Sequence, residues 1–110
     1  MTDSATSNLV GVWVSDPSDV TGLRVYGSVT VEFTKTGRLI YTIHGDEKDQ
    51  IMLLTYSVED GIIISDQPSS PSIERTRYSF APHGRLLLNH GDSIQTLMRS
   101  QSSGPSQNEY

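Results

Sequence analysis

This 110-residue chain contains no cysteine, so disulfides, thiolate nucleophiles and thiolate metal ligands are all outside its chemistry. It is also poor in aromatics, with one Trp, five Tyr and two Phe, so its core must be built mostly from Val, Ile, Leu and Met. No apolar run approaches the ~18 residues of a membrane span. The opening "MTDSATSN" has neither the basic nor the apolar stretch of a secretory signal. A cytoplasmic setting with no membrane contact is therefore expected. Excess positive charge is missing too: 8 Lys and Arg stand against 13 Asp and Glu, a formal net charge of -5. Nucleic-acid affinity rests on neutralising phosphates with Lys and Arg, so nucleic acid is not an expected partner. The chain has no G-x-S-x-G, P-loop, Rossmann fingerprint or H-E-x-x-H, which leaves no catalytic template to assign. No enzymatic activity and no cofactor are expected on those grounds.

What the sequence does contain is a regular beat of turn signals, spaced at the roughly 8–12 residues expected of an all-β domain. Between them eight strands can be read, over 9–14, 24–33, 38–44, 50–58, 62–65, 73–80, 85–90 and 93–99. No segment keeps a helical period, and only "SDPSDVTG" (15–22) could hold one short helical turn, started by Asp16-Pro17 with Asp19. One barrel domain over 9–99 is predicted, between a disordered N-terminal segment (1–8) and a disordered polar tail, "SQSSGPSQNEY" (100–110).

If neighbouring strands pair in order, the links after strands two, four and six share one end and are short. Those after strands one, three, five and seven share the other end and are mostly longer, as in an eight-stranded up-and-down antiparallel β-barrel with a closed floor and a looped mouth. Asp16, Asp19, Asp46, Glu47, Asp49, Asp66 and Asp92 then collect at the mouth, while Lys35, Arg38 and Arg85 fall near the floor. Alternation points Trp13, Val29, Val31, Phe33, Leu39, Tyr41, Ile43, Met52, Leu54, Tyr56, Tyr78, Phe80, Leu86, Leu88, Ile94 and Met98 inward. Side chains nearly fill an eight-stranded interior, so a filled core is favoured over a large pocket.

Gly11-Val12-Trp13 at the start of strand one, the "FTKTG" hairpin, the eight-strand meander and Arg99 at the end of strand eight together resemble the lipocalin-like (calycin) barrels, in particular the small bacterial domains of that kind. The stretch "IYTIHGDEKDQIMLLTYSVEDGIIISDQPSSP" also looks like an uncharacterised bacterial family of such domains. The resemblance implies that Trp13 packs at the closed end beside Gly11, with Arg99 lying across it. It also implies a small-molecule ligand, for which Tyr41, His44, Tyr56, Tyr78 and His90 are the candidate polar lining. The mouth acids Asp46, Asp49 and Asp92 would favour a neutral or cationic molecule.

Two further features bear on function. The tripeptide His-Gly-Asp occurs at 44–46 and again at 90–92, each after a strand, Gly turn and strand. Two His and two Asp could ligate a divalent metal, and a metal-assisted enzyme at the mouth would follow. Strands three and seven, however, lie opposite one another across a barrel of roughly 16 Å, given ~4.8 Å between strands tilted by ~40°. Polar turns are therefore the preferred reading, with no metal. The second feature is an outward apolar set, comprising Ile51 and Leu53 on strand four with Ile40, Ile63, Leu87, Leu97, Val10, Val12 and Val14. A homodimer through Ile51 and Leu53 would cover part of it. Should the barrel be filled, protein contacts of this kind (an inhibitor, immunity or assembly role) replace ligand binding as the function.

Overall fold

The computed structural model describes residues 8–69 and 71–100. Of the segments expected to be disordered, 1–8 and 100–110, residues 1–7 and 101–110 lie outside the described residues, whereas Asn8 and Ser100 are placed by hydrogen bonds to Arg99 and Val12. Eight strands close into an antiparallel barrel in sequence order: β1 (Gly11–Ser15), β2 (Val29–Phe33), β3 (Arg38–Ile43), β4 (Gln50–Glu59), β5 (Ile62–Asp66), β6 (Glu74–Ala81), β7 (Arg85–Asn89) and β8 (Ile94–Arg99). The last strand pairs with the first, Trp13 opposite Arg99 and Ser15 opposite Leu97. Every strand thus has two neighbours, although the stagger of the barrel leaves Gln50–Leu54 of β4 paired with β3 alone.

The largest departure from the sequence reading lies between β1 and β2. Residues 24–28 do not extend β2; instead Val20–Tyr26 form a helix, α1, about two turns long and so longer than the single turn expected. The Asp19 carboxylate caps it by accepting from Gly22 N at 3.1 Å. It ends at Gly27, whose φ of 79° is open to glycine and closes the last turn by donating to the Leu23 carbonyl. Val25 and Val29 fall in step with Val31 and Phe33 and imitate strand alternation, and these two caps override it.

Strand β1 begins at Gly11, two residues later than predicted, and the residues before it serve another purpose. Leu9 is fully buried as a plug in the closed end, and its carbonyl accepts from the Trp13 indole N–H at 2.9 Å. Around it the core consists of Trp13, Val29, Val31, Phe33, Leu39, Tyr56, Ile63, Leu86, Leu88 and Leu97.

Two face assignments are corrected here. On β8 the inward residues are Gln95 and Leu97, both buried, whereas Ile94 is exposed and Met98 sits on the other face. Ile63 is buried in the core, not displayed outside. Ile51 and Leu53 do lie exposed on the outer face of β4.

Candidate functional site

Trp13, Leu86 and Leu97 are fully buried inside the barrel, but the interior is not filled throughout. Under α1 lies a cavity of about 430 Å³, lined by Val31, Phe33, Leu39, Ile43, Met52, Leu54, Ile63 and Leu88, with Val25 and Tyr26 reaching in from the helix. The expectation of a filled interior fails because β5 and β6 place Ser65, Glu74 and Thr76 along the cavity near the mouth, where long apolar side chains would have been needed to fill the space. Its size is that of small-molecule sites, which are mostly apolar with a few placed polar groups.

Those polar groups form a connected row. Tyr41 on β3 faces the cavity, and its hydroxyl accepts from the Gln95 amide at 3.3 Å, across the barrel from β8. Gln95, only 1% exposed, meets His90 Nε2 through its own Oε1 at 3.0 Å. The His90 ring in turn stacks on Tyr26, with centroids 4.6 Å apart, and the Tyr26 hydroxyl meets the Ser93 hydroxyl in the turn between β7 and β8. The row therefore runs from the interior, through the last two strands, to the helix over the mouth. Burial pushes the Tyr41 phenol above its ordinary pKa, more than the Gln95 hydrogen bond offsets, so it is a neutral hydroxyl group at physiological pH. On the opposite wall Glu74 is the one carboxylate among the lining residues.

Of the five residues expected to line a pocket, Tyr41 and His90 do so. Tyr56 is packed below the cavity, edge-on to Phe33, with its hydroxyl donating to the Thr34 carbonyl at 2.8 Å. Tyr78 packs edge-on to Phe80 against the core and is not among the cavity's lining residues. His44 is folded back on the outer wall, Nε2 2.7 Å from Thr30 Oγ1 and Nδ1 3.3 Å from Asp49 Oδ2. Asp46 and Asp92 are exposed and lie outside the lining set, as does Asp49. Two other acids expected at the mouth are held elsewhere: Asp16 is buried against Arg85, a residue of the closed-end side, and Asp19 caps α1 while accepting from Thr96 N at 2.8 Å.

The two His-Gly-Asp segments turn out to be different turns. Gly45 sits where a Cβ would come within 2.3 Å of the Lys48 carbonyl oxygen, so its side chain is excluded by close backbone approach. Gly91 has open space but a φ of 99°, which excludes a side chain for conformational reasons. With His44 held outside and His90 held inside, the pair is not brought together. Among the described residues no group of three or more His, Asp or Glu side chains converges as a metal ion would require.

Tyr26, Ser65, Glu74 and Gln95 were missed from sequence. Gly27 was the available signal for Tyr26, as a helix stop. Nothing local marks Gln95, whose neighbours Ile94 and Thr96 make it look like an outward polar position.

At the closed end, the Arg99 guanidinium lies 4.3 Å from the centre of the Trp13 ring and donates to the carbonyls of Asn8 and Val10. Gly11 leaves room for it, since a Cβ there would meet the guanidinium at 2.4 Å. A hollow of about 530 Å³ beside Trp13 and Arg99 is bordered by cations already engaged in this way or, for Arg85, with Asp16.

Compared with protein-family models, with curated proteins and with solved structures, the chain matches none.

Proposed function

We propose that this chain is a lipocalin-like binding domain whose barrel takes one small, neutral or cationic molecule with an apolar body. The observation that carries the reading is the cavity of about 430 Å³ beneath α1, apolar over most of its wall and with Glu74 as the one carboxylate among its lining residues. A carboxylate in such a wall repels anions and favours an ammonium or a hydrogen-bond donor. A cytoplasmic setting suits a fold that depends on no disulfide.

Titration with N-phenyl-1-naphthylamine, a neutral apolar fluorophore, tests this directly. Saturable one-site binding is expected, and Leu54→Trp, which puts an indole into the cavity, should weaken it by about tenfold or more with the melting temperature little changed. Hexylamine should displace the dye better than hexanol, an advantage that Glu74→Gln removes. A titration that Leu54→Trp leaves unaltered would put the dye elsewhere and overturn the reading.

A contact role for the outer wall has its own observation. Ile51 and Leu53 are 61% and 63% exposed, and Leu53 stands beside Ile40 in the register of β3 and β4. We assign this face to a second copy of the chain.

A further inference from the structure

Counting hydrogen-bond donors along the polar row gives the ligand a more definite chemistry. Gln95 is buried with both ends of its amide engaged, one with His90 and one with Tyr41. In this arrangement the Gln95 amide N–H donates to the Tyr41 oxygen, and His90 Nε2–H donates to Gln95 Oε1. The Tyr41 hydroxyl proton is then left over. Among the described residues no acceptor stands within hydrogen-bond distance of it other than the row itself, and Tyr41 lines the cavity. Tyr41 is half-buried, so a bound molecule that displaced water from it without offering an acceptor would incur a cost comparable to a lost hydrogen bond. An oxygen atom of a bound molecule would recover that cost.

Resting on the binding function proposed above, we infer that the ligand carries an uncharged acceptor oxygen, of the carbonyl class, which takes the Tyr41 proton. The rest of the cavity is consistent with this division. Val31, Met52, Leu54 and Leu88 offer only apolar surface, the carboxylate of Glu74 only accepts, and the Ser65 and Thr76 hydroxyls belong to β5 and β6 on the wall away from the polar row. Tyr41 is then the specificity-determining residue, and Gln95 is a positioning residue that fixes which way its hydrogen bond runs. The amide of Gln95 could supply the opposite polarity only by turning over, which would make Tyr41 the donor to Gln95 and leave its lone pairs to the cavity. A ligand with an acceptor oxygen selects the first arrangement.

Two neutral naphthalene dyes of similar size separate the possibilities: 6-propionyl-2-(dimethylamino)naphthalene, whose carbonyl emission shifts to the red on accepting a hydrogen bond, and N-phenyl-1-naphthylamine, which has no oxygen. Tyr41→Phe removes one atom and should lower affinity for the carbonyl dye by about five- to tenfold, with a blue shift of its bound emission, while the other dye binds as before. Gln95→Glu should act in the same way, because an ionised carboxylate only accepts and so claims the Tyr41 proton for itself. Equal affinity and unshifted emission of the carbonyl dye in Tyr41→Phe would overturn the inference and leave the binding function standing. Failure of both dyes to bind the unmodified protein would overturn both.

Discussion

At the level of single side chains, Asp16 shows how much of this small fold is held by buried carboxylates. It accepts from the backbone and hydroxyl of Ser18 at 2.9 and 2.8 Å and from Arg85 Nε at 2.7 Å, tying the end of β1 to β7 across the intervening β8. The Ser18 backbone N–H chiefly, and then Arg85 and the Ser18 hydroxyl, hold its pKa below the usual carboxylate range despite its burial. A depressed folded-state pKa means that the stabilisation is complete above the unfolded-state value and is lost as pH falls through the folded one. Melting temperature should therefore drop on acidification below about pH 4, and Asp16→Asn should lower it at pH 7 while flattening that acid slope. Equal slopes in the two proteins would assign the acid sensitivity to other groups. The same scale explains why Gln95 escaped the sequence reading. Its amide is buried only because His90 and Tyr41 satisfy it, and Tyr41 comes from a strand on the far side of the barrel. Period-two reasoning put Ile94 and Met98 inside because two apolar residues outweigh one glutamine, yet Leu97 shares Gln95's face and is fully buried.

Among the elements, the strands were legible, whereas of the helix only its start near Asp19 was. Each strand is announced by alternation between turn residues, and the positions of β3, β4, β5 and β7 agree with the reading to within about two residues, the usual spread of element ends. Helix α1 has no apolar stripe to announce it. Val20 and Val25 are 61% and 56% exposed, and what holds it is the pair of end contacts made by Asp19 and Gly27 with the Asp19 link to β8. Gly22 belongs to that arrangement, because a Cβ there would meet the Asp19 carboxylate at 2.0 Å. Asp19→Ala should thus cost about 1–2 kcal/mol in urea unfolding, the range of lost N-caps, and should speed amide exchange over 20–26 more than in β2 or β3. Uniform exchange across the barrel would show that α1 is anchored by something else. Because Val25 and Tyr26 roof the cavity, the site's upper boundary was hidden by the same misreading that hid the rest of the helix.

For the molecule as a whole, strand order and closure followed from the asymmetry of connection lengths, whereas the cavity did not, since empty space has no residue to signal it. The closed barrel gives every strand two neighbours, and the exposed Ile51 and Leu53 side chains make packing of the β4 face the expected route to self-association. If a second copy covers the β4 face, the protein should sediment as a dimer, and Leu53→Asp should give a folded monomer; a dimer unchanged by that substitution would count against the contact. Closure also has a kinetic side. The hydrogen bond from Arg99 to the Val10 carbonyl joins residues 89 positions apart, so the seam between β1 and β8 carries the largest loop-closure cost in the barrel. Trp13, the chain's single tryptophan, stands on that seam beneath the Arg99 guanidinium. Its fluorescence is a built-in clock for the moment at which the ends of the sheet meet.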